Sequence, residues 1–353
     1  MNNKSAVTQL ATAHRRLVTK RLALIAGLWG IALIAFITSN MVGAIPLSAG
    51  EVIRGLFHPA DLSPQTYTVV WELRLPMAVM AVLIGASLSL AGAQMQTILN
   101  NPLAEPFTLG VSAGAAFGGA AAIVLNWQIL THPQLNLALI AWLSAFLATT
   151  VIVVAAILRG AQAEIMVLLG IGLVFFFQAM LALIQYQAST EALSQIVFWS
   201  LGSMTRANWA ANAIMAAVLA LCLPLLLSLS WKLTALRMGE DRAAAMGVNT
   251  SRLRVGVLII VSLLAATTVA FAGIIGFIGL VGPHIARMLV GEDQRYFIPA
   301  SMASGVALMS CAHTVSLLVK PGVTIPIGIV TALIGVPFFI TIVMTRRRSL
   351  WSS

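Results

Sequence analysis

The chain has 353 residues, of which 60% are hydrophobic and 8% are charged, and its mean hydropathy is +0.98. A soluble domain carries about 25% charged residues, so this composition excludes soluble enzymes, nucleic-acid-binding modules and disordered chains. The net charge of +10 does not indicate nucleic acid, because basic residues of membrane proteins concentrate on the cytoplasmic side. The composition predicts a protein embedded in a lipid bilayer.

Ten apolar segments are candidates for crossing the bilayer, since a transmembrane helix needs about 20 apolar residues. In chain order they are 22–42, 77–96, 109–126, 137–158, 164–186, 209–230, 255–272, 274–290, 297–318 and 327–345. The stretch 255–290 is the least regular, because Gly273, Gly276, Gly279, Gly282 and Pro283 interrupt it. We interpret it as two crossings.

The positions of the basic residues support ten crossings. If 274–290 did not cross, Arg346, Arg347 and Arg348 would lie outside, against the positive-inside rule. With the N-terminus inside, most of the 20 Lys and Arg residues become cytoplasmic. The sequence therefore predicts an all-α polytopic membrane protein, with a ten-helix transmembrane body at 22–345 between cytoplasmic tails at 1–21 and 346–353.

The segment 188–208 is too polar to cross. It carries Leu193, Ile196, Val197 and Trp199 at helical spacing. We expect a short helix over 190–200 that lies at the outer, periplasmic surface.

Small residues form a stripe on the third apolar segment, where Gly110, Gly114, Gly118 and Ala122 recur every four residues. Such a stripe lets helix backbones approach closely in lipid. Two interpretations stay open: the stripe packs against a neighbouring helix, or it faces a space through which a solute passes.

No charged residue falls in the middle of a predicted crossing, so His284 and His313 are the candidates for a proton relay. A structural hydrogen-bonding role is the alternative for both. No phosphate-binding G-x-x-x-x-G-K-[ST] loop is present, and Cys222 and Cys311 lie in apolar runs without metal-ligand spacing. If this protein moves a solute uphill, a partner must supply the energy.

The longest predicted cytoplasmic loop, residues 231–254, is where such a partner would act. Gly239 and Gly247 flank a predicted short helix over 240–246, and Glu240 and Asp241 favour its N-terminal end through the helix dipole. Ala243, Ala244 and Ala245 leave a flat surface. The alternative is a solvated connector. We call residues 231–254 the coupling loop.

Four stretches resemble the FecCD-type permeases, the cobalamin-type membrane subunits of bacterial ABC importers for ferric siderophores, haem and cobalamin. They are ELRLPMAVMAVLIGASLSLAGAQMQTILNNPLAEPFTLGVSAGAAFG at 72–118, LRMGEDRAAAMGV at 236–248, GIIGFIGLVGPHIARMLVG at 273–291 and IPIGIVTALIGVPFF at 325–339. They follow one another in the family's order over nearly the whole chain.

The resemblance implies a type II ABC importer permease fold with ten crossings, both termini in the cytoplasm, in the bacterial inner membrane. It implies a transport subunit rather than an enzyme: a second permease chain and two ATP-binding subunits complete the importer, a periplasmic binding protein delivers the cargo, and ATP and Mg stay on the ATPase. Ferric siderophore is the expected cargo, with cobalamin, haem or molybdate as alternatives. A proton-coupled secondary carrier is the alternative from another class.

The resemblance also implies residue roles. ATPase coupling falls on Arg237, Gly239, Glu240, Asp241, Arg242, Ala243, Ala244 and Gly247, and docking of the binding protein on Arg74 and Lys320. The family's other docking arginines are replaced here by Met77 and Leu317. The pathway and its gate fall on Gln94, Asn101, Pro102, Gly110, Gly114, Ala163 and Glu164, where Glu164 either selects the cargo or caps a helix. No metal site is expected.

Overall fold

The computed structural model describes residues 3–43, 45–319 and 323–346. These fold into helices joined by short connections. The helices are α1 (Asn3–Met41), α2 (Ala49–Phe57), α3 (Pro64–Tyr67), α4 (Leu75–Ile98), α5 (Val111–Val124), α6 (Pro133–Arg159), α7 (Ala163–Gln187), α8 (Thr190–Ser200), α9 (Trp209–Ser228), α10 (Ser230–Arg237), α11 (Glu240–Ala245), α12 (Thr250–Ala272), α13 (Ile278–Val290), α14 (Gln294–Leu318) and α15 (Ile327–Arg346).

The predicted helical, multi-pass architecture is confirmed. Within the described ranges, seven helices are long and apolar enough to cross a membrane, and α5, α13 and most of α15 are shorter apolar helices. Together they occupy the ten predicted segments. The short helix expected at 190–200 is present as α8.

The central helix α4 is buried along nearly its whole length and packs against α12, α13 and α14. Glycine allows the closest approaches. A Cβ atom added to Gly92 would lie 1.8 Å from the carbonyl oxygen of Gly279, and one added to Gly85 would lie 2.5 Å from that of Gly305. These backbone contacts hold α13 and α14 against α4, as small residues do in membrane bundles.

Two helices extend beyond the apolar segments predicted from hydropathy. The helical path into α4 begins at Pro64 and passes through a wide π-type turn at Thr68–Arg74, directly before Pro76. A π-turn accommodates a proline, which lacks the amide hydrogen of a regular helix. Likewise α1 begins at Asn3, inside the predicted tail 1–21, because polar residues continue a helix after its apolar face has ended.

The predicted break in 255–290 lies between α12 and α13, at residues 273–277. Gly273 has a φ of 82° and Phe277 a φ of 69°, and the left-handed region that Gly tolerates is uncommon for a bulky residue. The break leaves the last carbonyl groups of α12 without helical partners. The amide of Ser203 donates to the Ala272 carbonyl at 2.8 Å, so the segment after α8 closes this end of α12.

Candidate coupling and gate site

The coupling loop folds into α10, α11 and the start of α12, and α11 presents most of its surface to solvent. Asp241, Arg242, Ala244 and Ala245 are exposed, whereas Ala243 is buried. We call these four exposed residues the α11 face. Of the residues predicted to contact an ATPase, Asp241, Arg242 and Ala244 are accessible, while Ala243 instead anchors the helix to the body of the protein.

Two glycines set the ends of α11. Gly239 has a φ of 116° and Gly247 a φ of 80°, and glycine adopts such conformations at no steric cost. A Cβ atom added at either position would meet no atom within 4 Å. Both glycines therefore lie beside open space, next to the α11 face.

Arg254, on the first turns of α12, joins three separate segments at the coupling-loop end. Its Nε donates to the carbonyl of Ile98, the last residue of α4, and its Nη1 donates to the carbonyl of Ala161, each at 2.9 Å. Its Nη2 forms an ion pair with Glu240 of α11. The Arg254 side chain is 4% exposed and that of Glu240 is 57% exposed. One buried guanidinium thus connects the coupling helix to the segment between α6 and α7.

A second cluster ties α10 to the connection between α13 and α14. Arg237 donates from Nε to Glu292 at 3.1 Å and from Nη1 to Asn100 Oδ1 at 2.7 Å. Arg287 also pairs with Glu292 at 2.9 Å and donates to Gln96 at 2.8 Å. Arg237 was predicted to contact an ATPase directly. Its side chain is 15% exposed and bonds to Asn100, just after α4, and to Glu292, and its contact with an ATPase stays a prediction.

The segment 159–164, which we call the gate segment, lies next to Arg254, which donates to its Ala161 carbonyl. Gly160 has a φ of 84°, Ala161 is buried, and Ala163 begins α7. Glu164 is exposed in the first turn of α7, where a carboxylate is favoured by the helix dipole. This position agrees with the capping interpretation of Glu164.

Asn101 and Pro102 form the turn that follows α4, close to the carbonyl that Arg254 binds. The Asn101 side chain accepts a hydrogen bond from the Leu103 amide at 2.9 Å, and Asn101 itself is exposed. A side-chain acceptor two residues before its donor is a common turn arrangement. The two residues thus lie at the surface beside the gate segment.

Three residues predicted to line the pathway are buried inside this subunit. Gln94 is 0% exposed and donates to Gln294 at 3.1 Å. A Cβ atom on Gly114 would lie 2.9 Å from the Ser144 carbonyl of α6, and one on Gly110 would lie 3.2 Å from Leu173 of α7. In this conformation Gly110 and Gly114 pack against neighbouring helices and Gln94 bonds to α14, and the pathway role of the three residues stays a prediction.

Arg74 is the first of the two residues predicted to dock the binding protein. It is 7% exposed, and it donates to the carbonyls of Asn40 at 3.0 Å and Met41 at 3.4 Å, and to that of Ile45. These carbonyls lie at and just beyond the C-terminus of α1, which has no helical donors for them. Arg74 thus caps the C-terminal end of α1 in this conformation, and its role in docking stays a prediction. The second predicted docking residue, Lys320, lies outside the described residues.

The two histidines are embedded in helix packing. His284 stacks edge-to-face on Phe338 with ring centroids 5.8 Å apart. His313 is 1% exposed in α14 and lines a cavity of about 210 Å³ that Arg74 also lines.

Arg254 and Glu292 lie at the centres of the two clusters, although their sequence positions did not single them out. Arg254 stands 93 residues from Ala161 and 156 from Ile98 along the chain, so no local pattern connects them. The one sequence feature that could have indicated a role is the position of Arg254 directly before the apolar segment 255–272. A basic residue at such a position is ordinarily interpreted as an anchor at the membrane interface.

The described residues form a bundle of apolar helices in which seven are long enough to cross a membrane, with the exposed short helix α11 between α10 and α12. The FecCD transport family model matches residues 31–345. The chain belongs to the FecCD transport family, whose members are non-enzymatic permease subunits of ABC importers that work with ATPase and substrate-binding partners.

The relatives carry different cargoes by name. The molybdate import system permease protein MolB of Haemophilus influenzae is 34% identical, with 91% of this chain and 96% of that protein covered. The iron(3+)-hydroxamate import system permease protein FhuB of Bacillus subtilis is 34% identical over 93% of this chain and 84% of its own length. A solved structure, described as a metal-chelate type ABC transporter in an inward-facing conformation, superposes with a TM-score of 0.79 at 32% identity and covers 92% of this chain and 99% of that one.

Proposed function

We propose that this chain is the permease subunit of an ATP-driven importer that passes a ferric siderophore from a periplasmic binding protein to the cytoplasm, across the inner membrane of a bacterium. The chain crosses the membrane ten times with both termini in the cytoplasm. It pairs with a second permease chain and with two ATP-binding subunits. ATP and Mg bind to those subunits, and this chain holds no cofactor of its own.

One observation carries the proposed mechanism: Arg254 contacts both Glu240 of the coupling helix and Ala161 of the gate segment. An ATPase seated on the α11 face would push on a helix whose ion pair leads directly to the gate. Because Arg254 is buried and its partners belong to three segments, displacement of α11 must either move Ala161 or break charge-assisted hydrogen bonds.

The second cluster gives the coupling loop a fixed support. Glu292 receives both Arg237 and Arg287, which attach α10 to the connection before α14. With α10 anchored and α11 free on its outer side, motion of the loop is directed toward Arg254. The flanking glycines, Gly239 and Gly247, permit this motion because they tolerate a wide range of backbone angles.

The proposed cargo follows from the relatives, one of which is named as an iron(3+)-hydroxamate permease. No group of three or more His, Cys, Asp or Glu residues that could hold a metal ion occurs among the described residues. The chelate would therefore pass without a metal-ligand exchange, and the binding protein would set specificity. The alternatives of the same class are cobalamin and haem.

Molybdate is the second candidate cargo, on the observation that the MolB relative is covered over 96% of its length. Uptake by proteoliposomes that contain the permease, its ATPase and its binding protein distinguishes the two. The proposal expects ATP-dependent accumulation of a ⁵⁵Fe-hydroxamate and no accumulation of ⁹⁹Mo-molybdate. Accumulation of molybdate alone would replace the ferric siderophore as cargo while leaving the importer function intact.

A further inference from the structure

A polar cavity with one under-bonded cation lies at the end of the bundle that carries α8. It has a volume of about 190 Å³ and is lined by His132, Gln134, Arg206 and Asn208 together with apolar side chains. It sits where α6 and α9 begin and α12 ends. None of the residues proposed for coupling or for the gate lines it.

Arg206 gives this cavity its charge. Its Nη2 donates to the Trp199 carbonyl at 3.1 Å, but its buried Nη1 has no hydrogen-bond partner. Burial lowers the pKa of Arg206 to about 10, which leaves the guanidinium charged at neutral pH. No acidic residue lines the cavity. A buried donor of a charged group without a partner is costly, so this cavity is suited to an anion.

The cavity continues into an apolar groove. Leu135, Ala270 and Phe271 line both spaces. The groove, of about 380 Å³, runs between α6 and α9 over α12 and is lined by residues such as Leu139, Ile214 and Leu263. These three helices are among those long and apolar enough to cross a membrane, so the groove lies at the depth of the lipid chains.

We propose that this continuous site binds one anionic phospholipid from the membrane leaflet on the α8 side, with its phosphate at Arg206 and one acyl chain in the groove. The shape and polarity of the site match those of a phospholipid, in which glycerol joins an anionic phosphate to hydrocarbon chains. A headgroup with an ammonium group would find no carboxylate in the cavity, so phosphatidylglycerol is preferred over phosphatidylethanolamine.

The contact between the lipid headgroup and Arg206 determines which phospholipid binds. An acyl chain gains little by leaving bulk lipid for an apolar groove, because both are equally apolar and only packing differs. The charged hydrogen bond to Arg206 distinguishes one headgroup from another. A lipid held here would fill the space beside α12, the helix that carries Arg254 near its N-terminus.

Native mass spectrometry of the purified full-length chain tests the site, with phosphatidylglycerol and phosphatidylethanolamine titrated separately. We expect Arg206→Gln to weaken the tightest phosphatidylglycerol adduct by about tenfold, the effect of losing one hydrogen bond to a charged group. Arg54→Gln removes an exposed arginine on α2, outside the cavity, and should change the affinity less than about twofold. Equal effects of the two variants, or equal affinity for the two lipids, would overturn the proposal.

A second pair of variants tests the groove. These variants leave Arg206 in place, so they can be measured even if Arg206→Gln does not fold. Ile214→Trp fills the groove wall on α9, whereas Leu221→Trp adds the same indole to an exposed position on that helix outside the groove. The lipid site predicts weaker phosphatidylglycerol binding for Ile214→Trp only. If inorganic phosphate at millimolar concentration displaces the lipid and Ile214→Trp has no effect, the cavity takes a free anion and the lipid proposal is wrong.

Discussion

The guanidinium of Arg254 donates a hydrogen bond to the carbonyl oxygen of Ala161 at 2.9 Å, although Arg254 lies on α12 and Ala161 lies between α6 and α7. The same side chain forms an ion pair with Glu240 on the coupling helix. A planar guanidinium with donors on several sides is able to hold three acceptors at once. Through this one side chain, α11 is connected by an ion pair and a hydrogen bond to the gate segment.

Replacing Arg254 should uncouple the importer. In the complete complex, we expect Arg254→Gln to reduce cargo uptake per ATP hydrolysed by about tenfold or more, because motion of α11 no longer reaches Ala161. The carbonyl groups of Ile98 and Ala161 also lose a charged donor, at a cost of about 1–3 kcal/mol, so the melting temperature of the variant is measured alongside. The ratio of ⁵⁵Fe-chelate transported to phosphate released is the readout.

The matched control is Arg252→Gln, which removes an exposed arginine two residues away. It should leave the transport ratio unchanged. Arg254→Lys should recover only part of the coupling, because an ammonium group lacks the fork geometry. A normal transport ratio in Arg254→Gln would contradict the proposed route through this side chain.

A bulky side chain next to the α11 face should prevent the ATPase from binding there. Gly247→Trp is expected to abolish uptake, since the indole would occupy the open space beside Ala244. Gly247 has a φ of 80°, so any side chain there adds about 1–2 kcal/mol of backbone strain. Gly247→Ala carries the same strain without the bulk and should retain most uptake. If both variants transport normally, the α11 face is not the ATPase contact.

Arg74 should contribute to stability more than to docking. We expect Arg74→Ala to lower the free energy of unfolding by about 2–3 kcal/mol, because the carbonyls at the end of α1 lose a charged donor. Affinity for the binding protein should stay within about twofold, the range of an exposed ion pair. Thermal melting and surface plasmon resonance measure the two quantities. A large loss of affinity with unchanged melting would restore the docking role.

The contact between Gly92 and Gly279 should tolerate no side chain. Gly92→Ala places a methyl group 1.8 Å from a backbone oxygen, and neither helix is able to yield without separating α4 from α13. We expect little folded protein after purification. Gly256→Ala is the control, since a Cβ atom there meets nothing within 4 Å, and it should purify normally because Ala favours helices over Gly.

The sequence was sufficient for what depends on local pattern. Hydropathy located the apolar helices, the flanking glycines located α11, and the spacing of Ile196 and Trp199 located α8. These features follow from the periodicity of one segment and from backbone freedom at single positions. The ends of helices were harder to predict. The polar part of α1 that extends back to Asn3 has no hydropathy signal.

The environment of each polar residue depended on the fold. Gln94 and Arg74 were expected at a pathway and at a surface, yet both are buried with partners from distant segments. A glutamine in an apolar helix has the same sequence signature whether it faces a pore or a neighbouring helix. Only the packing of α4 against α14 decides between these positions.

The most direct test of the whole account compares energy sources. Proteoliposomes containing this chain are measured for ⁵⁵Fe-hydroxamate uptake under two conditions: with the ATPase, the binding protein and ATP, and with the chain alone under an imposed pH gradient. The account predicts uptake only in the first condition, lost in Arg254→Gln and retained in Arg252→Gln. Uptake by the chain alone, driven by protons, would contradict it.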